Sequence, residues 1–255
     1  MAIINGVGRV GIRNYVEPVS LSSIVSSGLI LNLDAGNAAS YPGTGTTWTD
    51  LSGNGNHATL YNGAAYSSTN GGTLTFDGIN DYIRMPFETI LNNCSIEIWF
   101  RNTSTNIYQY LLSLSNLNNS TNALYFDMND PEVAAYRTMW VYWNSGGGLL
   151  SAIPRTSGTN GDWTDSTWRH YVFTRSTTVS PYTSHYMNGS LVSNVNRSST
   201  QTTNFGNGAG YYLTIGGGTH GSWGGNVAIV RIYNKVLTSS EIKQNFDASK
   251  SRYGY

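Results

Sequence analysis

From residue 28 onward the chain is built from about ten short runs in which apolar and polar residues alternate, each bounded by Gly, Asn, Asp or Ser. Examples are "DYIRM" (81–85), "CSIEIWFRN" (94–102), "ALYFDM" (123–128), "RHYVFTRS" (169–176) and "NVAIVRIYN" (226–234). A period of two sends successive side chains to opposite faces, so each run is a strand with one face to bury. No helical pattern separates the runs, which rules out parallel sheets with helical crossovers. Asn188-Gly189 is the strongest hairpin signal, and Asn62-Gly63 predicts a second tight turn. One segment breaks the pattern: "LTSSEIKQNFDASKSRYG" (237–254). Thr238 caps it, Glu241 completes a capping box, and Leu237 and Ile242 form a hydrophobic staple. The predicted fold is all-β, an antiparallel two-sheet sandwich over residues 28–255 with one short C-terminal helix.

The charge pattern narrows the function. Net charge is zero, charged residues make up 11% of the chain, and only three are Lys, so no basic stripe exists to hold nucleic acid. No run approaches the roughly 18 apolar residues of a membrane span. The N-terminus lacks a basic start followed by an apolar run, so no signal peptide is expected. The single cysteine, Cys94, opens an alternating strand and is read as a small core residue.

Residues 1–27 differ from the rest. Gly6, Gly8, Gly11 and Pro18 interrupt any helical period. The stretch is read as an extended docking arm. Ile3, Ile4, Val7, Val10, Ile12 and Tyr15 are its candidate contacts with a partner.

Motif order gives a more specific reading. "LNLDA", "WTDLSGNGNHATL", "LTFDGINDYIRM", "SIEIWFRN", "WRHYVFTR", "HYMNGSLV" and "GNVAIVRIYNKVLTSSEIKQNF" follow one another along the chain. This succession resembles the laminin G-like jelly roll of the concanavalin A-like lectin and glucanase group, over about residues 28 to 253. The resemblance implies that the sandwich is a jelly roll. Within it, "FDGINDYI" is expected to be a turn before a strand that buries Tyr82. Ile96, Ile98 and Phe100 should share one face of their strand, with Glu97 and Trp99 on the other. The helix is expected across one end of the sandwich. Preceding such a domain, "INGVGRVGIR" is similar to the start of structural proteins of tailed bacteriophages. That likeness implies a multi-copy virion component, made in the host cytoplasm and bound to other virion proteins through the arm.

The residues raise three kinds of site. "TDLSGNGNHATL" (49–60) begins like a helix–loop–helix calcium loop, but Tyr61 stands at the twelfth position, where a bidentate Glu is needed. It is therefore first a turn, with positive φ at Gly53 and Gly55. The laminin G-like resemblance permits one structural calcium ion, for which Asp34, Asp50, Asn54 and Asp77 are the candidate ligands. Glucanases of the superfamily carry Glu-x-Asp-x-(x)-Glu on one strand. No such spacing occurs here and Glu97 has no partner in its own strand, so no enzyme is expected. Glycan binding suits the aromatic content better. Trp223 between glycines is the first candidate, with Trp163, Trp140 and Tyr142 beside it. The expected function is a non-enzymatic virion surface protein, with adhesion to host glycans as an added role. The alternative is a free carbohydrate-binding lectin.

Overall fold

The computed structural model describes residues 23–104, 109–117, 119–128, 139–143, 148–153, 165–195, 209–217 and 221–255. The arm positions Ile3, Ile4, Val7, Val10, Ile12 and Tyr15, and Trp163, lie outside the described residues.

In chain order the strands begin with β1 (Leu29–Asp34), β2 (Thr47–Trp48), β3 (Ala58–Tyr61), β4 (Ala65–Ser67), β5 (Thr73–Asp77) and β6 (Tyr82–Pro86). The middle of the chain supplies β7 (Cys94–Asn102), β8 (Gln109–Asn116), β9 (Asn119–Met128), β10 (Met139–Trp143) and β11 (Gly148–Ile153). Then come β12 (Arg169–Arg175), β13 (Thr183–Met187), β14 (Ser190–Val195), β15 (Tyr211–Ile215), β16 (Gly224–Tyr233) and the helix α1 (Ser239–Ser249). Among the described residues they form two eight-stranded sheets. The first sheet runs β14-β13-β12-β7-β16-β5-β4, with β1 also paired to β16. The second runs β11-β10-β9-β8-β15-β6-β3-β2. Every pairing is antiparallel, and the fold is the expected jelly-roll sandwich.

The inner faces meet as the alternation requires. Ile96, Ile98 and Phe100 of β7 pack in one core with Ile83 and Met85 of β6, Leu112 and Leu114 of β8, and Leu213 and Ile215 of β15. Each such side chain contributes about 1.5–3 kcal/mol when fully buried. Cys94 sits in the same core, where burial pushes its thiol up to about 12. Asn188 and Gly189 both have positive φ (51° and 77°) and join β13 to β14, as the hairpin signal predicts. The Asn62-Gly63 turn also forms, but it links β3 in the second sheet to β4 in the first, so it crosses the sandwich rather than closing a hairpin.

The helix forms with the predicted cap and capping box. Its position differs from expectation. It covers the outer face of the first sheet rather than an end, because that face carries large aromatic and aliphatic side chains around Trp99. Phe246 stacks on Trp99 of β7 with ring centroids 5.7 Å apart, and Tyr253, in the 3-10 turn after the helix, stacks at 4.1 Å. Ile242 and Leu237 pack with Val172 and Tyr233 of the same sheet. Residues 23–27, assigned to the arm by sequence, belong to this layer. Val25 is buried in the same cluster, its N–H donates to Asn245 Oδ1 (2.8 Å), and Gln244 Nε2 donates to the Ser23 carbonyl (2.6 Å).

Candidate functional site

The outer faces of the two sheets hold the polar groups that could carry chemistry, and they are built differently. On the first sheet Glu97 is fully buried beneath α1. It does have partners, from neighbouring elements rather than from its own strand. Arg231 Nη1 on β16 donates to Oε1 at 2.6 Å, and Asn245 Nδ2 on α1 donates to Oε2 at 2.6 Å. His170 Nε2 on β12 approaches Oε1 at 3.2 Å. Burial alone would raise this carboxyl. The charge of Arg231, joined by His170 and the Asn245 amide, outweighs it and brings the pKa to about 2. Glu97 is therefore a fixed anion with its oxygens occupied, closed off from any substrate.

The predicted calcium ligands are not brought together. Among the described residues no three His, Cys, Asp or Glu side chains group as a metal cluster would require. Asp34 is held by Arg252, whose Nη1 donates to both carboxylate oxygens at 2.9 Å. Asp50 accepts the N–H groups of Asn32, Ser52 and Asn56 and the Ser52 hydroxyl. Asp77 accepts from the N–H groups of Ile79 and Asn80, which hold its carboxyl below the usual range. Asn54 donates to the Leu29 carbonyl and to Ser52 Oγ. Asp50 and Asp77 fasten their own turns while Asp34 and Asn54 reach residues distant in the chain, so the structure does not bring the four together as one ligand set. The "TDLSGNGNHATL" stretch is a turn centred on Asp50, with Gly53 and Gly55 at φ 88° and 74°. Its distal side, with His57, forms a shallow groove of about 460 Å³ against Pro86, Glu88 and Thr89.

Trp223 is also corrected. It is 0% exposed and packs edge-on against Phe100, 5.7 Å between centroids, inside the core. The flanking glycines reflect packing rather than a free loop. A Cβ on Gly224 would meet the Ser104 Cβ at 2.5 Å, one on Gly225 would meet the Arg101 carbonyl oxygen at 2.2 Å, and the Trp223 backbone N–H donates to the Gly216 carbonyl. Trp140 and Tyr142 lie on β10 of the second sheet, at the register positions opposite Asp127 and Tyr125 of β9.

The outer face of that second sheet is the better candidate. Because Ile83 and Met85 point inward, their neighbours Tyr82 and Arg84 point out, and Tyr82 is not buried as the sequence reading expected. Register places Thr59, Arg84, Thr214, Ser113, Tyr125 and Tyr142 in one row across six strands. Five strand spacings of about 4.8 Å make such a row about 24 Å long. Around Arg84 the contacts are specific. Tyr61, 40% exposed, stacks on Tyr82 at 4.7 Å and 15°. The Arg84 guanidinium lies 4.5 Å from the Tyr82 ring and 6.0 Å from that of Tyr212, and its Nε donates to Thr214 Oγ1 at 3.1 Å. Further along, Tyr110 and Tyr125 pack at 5.4 Å. Ring faces, hydroxyls and one cation on a half-open sheet are the groups that bind polyhydroxylated ligands. Tyr61, Tyr82, Arg84 and Tyr212 were not singled out by sequence. The signal was present in "DYIRM", where the non-core positions of the alternation hold Tyr and Arg.

Comparison with known proteins agrees with this architecture. A family model described as the Concanavalin A-like lectin/glucanases superfamily, of laminin G type, matches residues 76–243. No curated protein matches by sequence. Among solved structures, the chain is similar to domain 4 of AbnA, a GH43 extracellular arabinanase from Geobacillus stearothermophilus, in complex with arabinotriose. The TM-score is 0.61 at 16% identity, covering 88% of this chain and 98% of that one. It is also similar to the botulinum neurotoxin type G receptor binding domain, with TM-score 0.59 at 16% identity, covering 86% and 51%. A third is botulinum neurotoxin type C, whose cell entry depends on interaction with two ganglioside molecules; here the TM-score is 0.64 at 12% identity, covering 88% and 52%. The chain spans about half the length of the two toxin chains. At these identities the likeness is one of fold. With the family model matching most of its length, the chain belongs to the laminin G-like branch of the concanavalin A-like lectin and glucanase superfamily.

Proposed function

We propose that this protein is a non-enzymatic glycan-binding module whose ligand surface is the open face of the second sheet. The observation that carries the reading is the ladder Tyr61–Tyr82–Arg84–Tyr212 beside the hydroxyl of Thr59, with the buried Thr214 hydroxyl holding Arg84 in place. Sealing of Glu97 beneath α1 supports a binding role over a hydrolytic one. The arabinotriose complex of the arabinanase domain is a carbohydrate precedent on a similar fold. A glycan and polysaccharide array tests the reading, with Tyr82→Ala beside the unmodified chain. Binding that is lost in Tyr82→Ala supports it; binding that survives, or no binding at all, overturns it. No bound polysaccharide should be cleaved, and turnover abolished by Glu97→Gln would contradict the non-enzymatic reading.

The setting proposed is the surface of a tailed-phage virion, in many copies, with adhesion to host glycans as the task. The support is the resemblance of the N-terminal residues to phage structural proteins. Light scattering of residues 1–255 beside residues 23–255, with purified particles, tests it. The truncation starts at residue 23 because Ser23 and Val25 are bound to α1. Assembly by the longer chain alone supports an anchoring arm. Identical behaviour of both as free monomers favours the free lectin.

A further inference from the structure

Arg84 has a specific consequence for the glycan site, and the inference rests on the glycan-binding reading. Every other described arginine is committed. Arg231 is bound to Glu97, Arg252 to Asp34 and Arg169 to Asp165. Arg175 donates to the carbonyls of Leu91 and Asn92, and Arg101 donates through two nitrogens to Asn226 Oδ1. Arg84 alone keeps both terminal nitrogens free of protein acceptors among the described residues. Its single hydrogen bond runs through Nε to Thr214. That bond and the Tyr82 and Tyr212 rings fix the guanidinium plane, so the remaining fork is already oriented.

The surroundings suit an anion. Neither cross-strand neighbour, Thr59 or Thr214, carries charge. Asp127 stands three strands away, about 14 Å across the sheet at a spacing of about 4.8 Å, and two residues further along its strand than the Arg84 row. Glu88 lines the adjoining groove with His57 and forms no ion pair with Arg84. A pre-oriented fork with two free N–H edges matches the paired oxygens of a carboxylate or sulfate. Neutral sugars would leave that capacity to water.

We infer that the open face selects acidic saccharides, those bearing a uronic carboxylate or a sulfate ester, and that Arg84 receives the anionic group while Tyr61, Tyr82 and Tyr212 contact the ring faces.

The test is binding, by calorimetry or biolayer interferometry, to matched pairs differing only in charge: polygalacturonate against its methyl ester, and heparin against its desulfated, carboxyl-reduced form. The full chain is compared with Arg84→Gln and Arg84→Lys, and melting temperature is checked in each. The expected result is preference for the acidic member, lost about tenfold or more in Arg84→Gln. Arg84→Lys should recover part of the affinity, because it keeps the charge without the fork. Affinity for the acidic member should fall between about 50 and 200 mM salt. Equal binding of both members, unchanged by Arg84→Gln, overturns the inference and leaves the glycan-binding reading standing. No binding to any member overturns both. Preference for uronate over sulfate, or the reverse, identifies the source of the anion.

Discussion

The two sheets have outer faces of opposite character. That of the first sheet is closed by α1, the 3-10 turn Lys250–Tyr253 and residues 23–27, and it holds the largest rings of the layer and an ionised Glu97. That of the second keeps Tyr61, Tyr82, Arg84 and Tyr212 at least partly in solvent. Both faces carry aromatic residues and an arginine on alternating strand positions. Their roles diverge because a carboxylate and a helix meet the arginine on one face, and neither does on the other. On the closed face the polar groups maintain the fold; on the open face their capacity remains for a ligand.

This contrast can be broken deliberately. The largest effect is expected from Glu97→Ala, which leaves Arg231 charged and unpaired in the interior and should cost about 3–5 kcal/mol in a urea titration. The double variant Glu97→Leu, Arg231→Met should recover much of that loss, because it removes both charges. Phe246→Ala should cost about 3 kcal/mol by emptying the space over Trp99. Acid comes next. His185 is buried against the Tyr171 hydroxyl (2.7 Å), and burial lowers its pKa from 6.5 to about 3. The unfolded chain takes up that proton first, so stability is complete above pH 6.5 and falls toward 3, by at most about 1.4 kcal/mol per pH unit. Glu97, at about 2 against 4.5, adds a second loss below pH 4.5. Melting temperature against pH should therefore fall in two limbs, and His185→Gln should flatten the upper one. The smallest effect is expected on the open face. Tyr82→Ala removes one stacked cross-strand pair and should cost under about 1 kcal/mol while abolishing glycan binding. A loss of several kcal/mol there would mark this face as structural after all.

Much of this was legible in the sequence, and the failures share a cause. Alternation located the strands, the Asn188-Gly189 turn and the sides taken by Ile96 and Glu97, because each depends on residues close in the chain. Trp223 was misjudged because its glycine neighbours look like loop, and only the distant Arg101 backbone, Ser104 and the Phe100 ring show that Gly224 and Gly225 make room beside a core. The separate tying of the Asp residues was illegible for the same reason: Asp34 and Arg252 are 218 positions apart, and no local pattern links them. Arg84 was missed although "DYIRM" exposes it by simple parity. What its neighbours leave unoccupied is a property of three strands drawn from across the chain.

Asn245 has a consequence for how the molecule is oriented on anything that carries it. Its amide binds Glu97, the Tyr233 hydroxyl and the N–H of Val25, so the polypeptide enters the domain over the closed face, beside the final helix. A pull at residue 23 would thus be borne by the buried ionic layer, with the open face of the second sheet on the opposite side of the sandwich. On the reading proposed above, the closed side would be the mounting side and the open side the presenting one, with the Asn245 amide tying the incoming chain to the first.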